Sequence, residues 1–298
     1  MTYADDSFDT LPRMPSWVTS VRAETSEDVA FLSGAALAHL HLVLAQPNVP
    51  QDLLRARLAL RAAEACVIHS GRPERAADLR DAVGFLQPGD GPGPAGEVYQ
   101  SWQRAVERPV SVKALHRALP HLTPEQIAVW LDGCDPREAG QAAPIPRAVS
   151  VLEAVTKERS RDYGTALILA DTALAQALGW SQMLPFLSLG LKRADLRLDG
   201  DELSTAAHRA VVKAASRVVR ETAELERRTQ RLKAAAPRLR AKGADEAVAL
   251  FLKSDVIAPM NLSSFGSQRA ARRFCDRLVE LGVARELTGR DTFRLYGV

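Results

Sequence analysis

The chain has 298 residues, of which 46% are hydrophobic and 25% charged, with a formal net charge of +3. That balance is ordinary for a globular protein and excludes a wholly disordered chain or a fibrous repeat. Its three cysteines, Cys66, Cys134 and Cys275, are too few and too far apart for a disulfide framework or a paired zinc motif. The first residues, Met1 to Ser7, are acidic where a secretory signal starts basic. The longest apolar run, Gly34 to Ala45, holds two histidines and falls short of the roughly 18 residues of a membrane span. These features predict a soluble, cytoplasmic protein with no membrane segment.

Basic residues divide into 32 Arg and only 7 Lys, and alanine occurs 48 times. A GC-rich genome produces both biases, so arginine abundance says little about ligands. Its distribution says more. Residues 227–298 hold 15 Lys or Arg against 7 Asp or Glu, a net of +8, whereas residues 1–226 carry −5. Such asymmetry points to a C-terminal part that faces an anion and a body that does not.

In chain order, residues 1–25 read as a tail. Thr25 and Asp28 start a helix that runs to about Gln46. Pro47 and Pro50 separate it from a helix over 51–69, and Pro73 opens another that lasts to about Gln87. Pro88 to Gly96 lacks the Gly-Lys-Ser/Thr ending of a phosphate-binding loop and reads as a connector. Helices are expected at 97–107, 112–119 and 124–132, the last behind the Thr123–Gln126 capping box. A linker follows over 135–146, then helices at 147–159, 164–178 and 181–189. No strand pattern appears before residue 280. A long helix is expected from Asp201 to Ala236. Val211, Val218, Leu225 and Leu232 recur on it every seven residues, which fits either a homodimer through the 201–236 helix or packing on its own body.

The C-terminal segment has a different order. A short amphipathic helix over 245–254 precedes a proline-interrupted stretch, Ile257 to Phe265. Gly266 allows a turn, and Ser267 caps a helix from Gln268 to Leu281. Its inward stripe is Ala270, Ala271, Phe274, Leu278 and Leu281. Val283 to Leu287 and Thr292 to Tyr296 then bracket Thr288-Gly-Arg-Asp291 as a hairpin, with Phe293 and Leu295 inward.

Helix, short helix, turn, helix and hairpin is the order of a winged helix. Ser267 to Val283 with Arg285 to Tyr296 resembles bacterial winged helix-turn-helix tails over residues 244–298, with the Pro259 break as a departure. Such tails also follow Fic-type nucleotidyl transferases, but this chain has no His-Pro-Phe…Gly-Asn-Gly-Arg motif. The whole chain, including Trp-Gln-Arg-Ala-Val-Glu-Arg-Pro at 102–109 and Arg-Ala-Ala-Arg-Arg at 269–273, is similar to an uncharacterised family of proteins of this length from plasmid-bearing alphaproteobacteria. That resemblance implies no catalytic residues.

The expected fold is all-α: a two-lobed helical body (26–140 and 147–240) and a small winged-helix module with one β-hairpin (241–298). The expected function is DNA binding, in regulation or plasmid maintenance. A recognition helix puts its first turns into the major groove, where Arg reads guanine and Gln reads adenine. Ser267, Gln268, Arg269, Arg272 and Arg273 are the candidates there. Arg290 and Arg294 belong to the wing. Arg227 to Lys242 holds seven basic residues and no acid, so Arg238, Arg240 and Lys242 are candidates for phosphate contacts. The alternative is a helical scaffold whose winged helix docks a protein. Neither reading requires catalysis, a cofactor or a metal. His39, His41, Cys66 and His69 converge only if the fold brings them together, His116, His121 and His208 are isolated, and Trp102, Trp130 and Trp180 read as core. The helix over 124–132 carries Glu125 and Asp132 and no Lys or Arg, so Ser111 to Trp130 reads as a helical hairpin, not a second DNA reader.

Overall fold

A computed structural model describes residues 11–20, 25–87, 89–132 and 143–298. The expected linker over 135–146 and Cys134 lie largely outside these residues. Helices come in the order α1 (Ser16–Ser20), α2 (Ser26–Leu44), α3 (Gln51–His69), α4 (Ala76–Gly84), α5 (Gly93–Glu107), α6 (Val112–Ala118) and α7 (Pro124–Asp132). They continue with α8 (Pro144–Glu158), α9 (Tyr163–Ala177), α10 (Leu187–Gly190), α11 (Gly200–Ala235), α12 (Ala244–Phe251) and α13 (Gln268–Glu280). Among the described residues the only sheet is a two-stranded one, β1 (Arg285–Glu286) with β2 (Tyr296–Gly297). The protein is all-α apart from that ribbon.

Local chemistry sets the helix ends. Thr25 Oγ1 accepts the Asp28 N–H while Asp28 accepts the Thr25 N–H, both at 3.1 Å. Thr123 and Gln126 exchange the same pair of bonds ahead of α7. Pro73 does not open α4. Asp78 accepts the Arg75 N–H at 2.8 Å, which moves the helix start downstream.

The two expected lobes share one continuous apolar core. α11 packs along α2 and also meets α8, α10 and α3; α3 packs on α5 and touches α9. Val211, Val218, Leu225 and Leu232 are all buried in this packing, as is the small-residue row Ala215, Thr222 and Thr229. The seven-residue ladder is therefore spent on the chain's own body, and the reason for placing a homodimer there disappears. Trp102 and Trp130 are buried in the core. Trp180 is half-buried instead, its indole N–H donating to His41 Nδ1 at 3.0 Å.

By length and composition, α2 could also cross a membrane. In the fold Val29, Leu32, Ala36, Leu37, Leu40 and Val43 are buried.

Helix 181–189 shrinks to the four residues of α10, and a buried acid replaces the missing turns. Asp171 of α9, fully buried, accepts the Phe186 and Leu187 N–H groups at 3.0 and 2.9 Å and the Ser188 hydroxyl at 3.3 Å. Burial raises its pKa to about 7 against those donors. The unfolded chain ionises at the ordinary 3.8. Between these values the folded state holds a proton that the unfolded state has lost, so stability falls as pH rises. From pH 5 to pH 8 the expected loss from this group is about 2–3 kcal/mol. Urea unfolding of Asp171→Asn and wild type at both pH values checks it: the stability difference should shift toward the variant at pH 8, and a pH-independent difference would refute the assignment.

Candidate nucleic-acid interface

The C-terminal module is built on α12, α13 and a small ladder. β1 and β2 are antiparallel, with Arg285 opposite Gly297 and Glu286 opposite Tyr296. Ile257 adds a third rung on the far side of β2: its N–H donates to Tyr296 O at 2.8 Å, and the Tyr296 N–H returns a bond at 2.9 Å. The order across the ladder is thus Ile257, β2, β1. Among the described residues, the expectation of no strand before residue 280 holds apart from this bridge. Between Ile257 and α13 the chain makes two 3-10 turns, Pro259–Asn261 and Ser263–Phe265. Pro259 stands at the first position of the former, where a missing N–H costs no intrahelical bond.

Ser267 is the N-cap of α13, its hydroxyl accepting the Ala270 N–H at 3.2 Å. It is exposed at the start of the helix, with its hydroxyl engaged in the cap. Ala271, Phe274, Cys275 and Leu278 face the module core, and the rings of Phe274 and Phe265 lie 4.8 Å apart. Leu281, expected inward, is 39% exposed because the helix stops one residue before it. Burial pushes the Cys275 thiol up to about 12, and Cys66 likewise, so both thiols are inert at neutral pH.

The opposite face of α13 is cationic. Gln268, Arg269, Arg272 and Arg273 are all exposed. Among the described residues Arg269 and Arg273 have no ion pair. Arg272 donates to the Asp291 carbonyl. Arg238, Arg240 and Lys242 are exposed as well. This basic stretch ends beside the 3-10 turn that precedes α13, since the Ser264 hydroxyl donates to the Gly243 carbonyl at 3.4 Å.

The segment expected to form a wing differs from that expectation. Regular pairing ends at Leu287, whose N–H donates to Leu295 O at 2.8 Å. Phe293 has a left-handed backbone (φ 54°) and is 73% exposed, so it is not an inward strand residue. Tyr296 takes the inward place, fully buried, its hydroxyl donating to Asp276 at 2.7 Å. Arg294 pairs with Asp276 at 3.4 Å and Asp291 at 3.7 Å. Arg290 pairs with Asp81 of α4. Phe293 meets Phe85 edge-on, with ring centres 5.9 Å apart. The tip of the β1–β2 connection is therefore folded down on α4, and its two arginines are engaged by the protein's own carboxylates. A groove of about 340 Å³ separates these parts, with Met260, Phe85 and Phe293 beside Arg269, Arg272 and Arg294. The sequence signal for this contact was weak, because Asp81 and Phe85 lie some 200 residues from the wing.

The module is tied to the body by buried charge. Arg57 of α3 pairs with Asp255, which is 4% exposed, and donates to the Val298 carbonyl at 3.1 Å. Glu221 of α11 accepts from Arg61 at 3.1 Å and lies 4.0 Å from Arg57. Arg228, inside the basic stretch, also donates to the Val298 carbonyl, at 3.3 Å. It is a structural tether, not a free cation.

The histidines do not converge. His39 bonds the Pro12 carbonyl, His41 the Trp180 indole, and His116 the Leu122 carbonyl. Among the described residues no group of three His, Cys, Asp or Glu side chains is placed to hold a metal.

Residues 2–298 match the family described as Protein of unknown function (DUF1403). The chain belongs to that family. No curated protein matches it. In this family member the C-terminal module and the helical body both fall within the matched span.

Proposed function

We propose that this family member binds DNA through the exposed cationic face of α13. The observation that carries the reading is the row Gln268, Arg269, Arg272 and Arg273 at the start of a well-capped helix, with Arg269 and Arg273 unpaired among the described residues. The ladder order Ile257, β2, β1 around α12 and α13 is that of a winged helix, which supports it. The basic stretch 238–242, which ends beside the turn before α13, adds non-specific phosphate affinity. Arg290 and Arg294 contribute little, being held internally. With the α11 ladder covered, one chain offers one recognition helix and reads a short site.

Fluorescence anisotropy on selected and random duplexes across a salt series tests this. Arg269→Ala and Arg273→Ala should each cost about 1–3 kcal/mol on the preferred sequence and less on random DNA. Replacing Arg238, Arg240 and Lys242 together with Gln should lower the salt slope by up to about 3 and spare sequence preference. No binding by wild type at low salt would exclude the DNA reading. One observation favours the second reading, protein docking: Phe293 and Met260, 73% and 37% exposed, rim the same groove as the arginines. Loss of a partner, not of DNA, on Phe293→Ser would select it.

A further inference from the structure

The outer face of α2 is more apolar than its packing on α11 requires. Phe31 and Leu42 are 67% and 62% exposed, and Trp17 stacks on Phe31 with centroids 5.8 Å apart. Next to them, Ala30, Gly34, Ala38 and Leu42 form one wall of a groove of about 610 Å³. These positions share one side of a helix, so the wall runs about 18 Å at 1.5 Å per residue. Ile145 at the start of α8, Trp180 after α9, and His208 of α11 close the other sides. The volume falls in the range of about 300–1,000 Å³ typical of small-molecule sites, and mostly apolar walls with few polar groups are their usual build.

The polar group is a Ser–His pair. Ser33 Oγ lies 2.9 Å from the Ala30 carbonyl and 2.7 Å from His208 Nδ1. The hydroxyl has one proton, and the carbonyl can only accept, so the proton goes to Ala30 O. Oγ then accepts from Nδ1–H. This assignment satisfies both contacts and fixes the tautomer, leaving Nε2 as an acceptor with no partner among the described residues. Burial lowers the pKa of His208, which keeps the ring neutral at pH 7.

We propose that this groove binds a small, neutral, largely apolar molecule carrying one hydroxyl or N–H group, which donates to His208 Nε2. An anion gains nothing from this pair, since the His208 ring is uncharged and Ser33 has given its proton away. A purely apolar molecule would leave Nε2 dry and unpaired. The site lies in the body and does not depend on the DNA reading.

Isothermal titration calorimetry on the full chain with 1-naphthol and 1-methoxynaphthalene tests it, since the second replaces the donor hydrogen with a methyl group. Wild type should bind 1-naphthol about tenfold more tightly, the worth of one hydrogen bond. His208→Leu should erase that preference and keep the affinity for 1-methoxynaphthalene. Gly34→Leu should abolish binding of both. A Cβ at Gly34 meets no atom within 4 Å, so the added side chain enters the groove without disturbing α2. Ala38→Leu, at another exposed position of the wall, repeats the block. The proposal fails if wild type does not bind 1-naphthol, if both blocking variants bind it as tightly as wild type, or if His208→Leu keeps the tenfold preference. A wild-type dimer that Gly34→Leu dissociates, with no probe bound, would make a second copy the occupant and equally overturn it.

Discussion

Replacing Gly190 with alanine is expected to cost about 4 kcal/mol or more and to leave little folded protein, an effect in the rare tail for a single methyl group. Gly190 ends α10 where that short helix crosses α11. A Cβ there would lie 2.5 Å from the Ala210 Cα and overlap its carbonyl carbon and oxygen. These are main-chain atoms in the middle of a 36-residue helix, so no side chain can swing aside. Relief requires α10 to back away from α11, which opens a gap around Leu187, Ala207 and Val211, all fully buried. Gly34→Ala is the control. It sits in the interior of α2 with open space at the Cβ position, and removing glycine from a helix should gain about 0.5–1 kcal/mol. Soluble yield and urea midpoints of the two variants should move in opposite directions. A Gly190→Ala midpoint equal to wild type would mean that the α10–α11 contact is looser than its geometry.

Asp255→Ala should destabilise the protein by about 3–5 kcal/mol, because it strands Arg57 at the seam between body and C-terminal module. Arg57 is 17% exposed, pairs with Asp255 and reaches the Val298 carbonyl, and its nearest other acid, Glu221, is shared with Arg61. The loss should be strongly non-additive. Arg57→Met combined with Asp255→Asn should cost less than Asp255→Ala alone, since no unpaired charge is left behind. Denaturant unfolding of the two variants checks this. A loss below about 1 kcal/mol for Asp255→Ala would mean that water reaches Arg57 and that the seam is held by apolar contacts.

Both predictions concern contacts that no local pattern announces. Chain-local features were legible. The helix over 51–69 has the expected limits, and the long helix ends within a residue or two of Asp201 and Ala236. Ser267, Thr25 and Thr123 cap as their spacing requires. The cationic row on α13 was also readable, because Ala271, Phe274 and Leu278 fix which side of that helix faces inward and thereby expose Arg269, Arg272 and Arg273.

Local sequence thus fixes the helical elements, their caps, the charge asymmetry and the exposed side of α13. All follow from interactions within a few residues or from a single amphipathic period. The tertiary structure decided the rest. It showed that the Val211–Leu232 ladder is covered by the chain's own helices, since a heptad stripe has the same apolar pattern whether its partner is a second copy or a neighbouring helix. It also turned Arg290 and Arg294 from free wing cations into ion pairs with Asp81, Asp276 and Asp291. The Ser33–His208 pair, 175 residues apart, and the Asp171 cap on α10 arise in the same way. A side chain's charge and polarity are written in the sequence, but whether it meets solvent, a carboxylate or an apolar wall depends on distant segments, and only the packed chain brings them together.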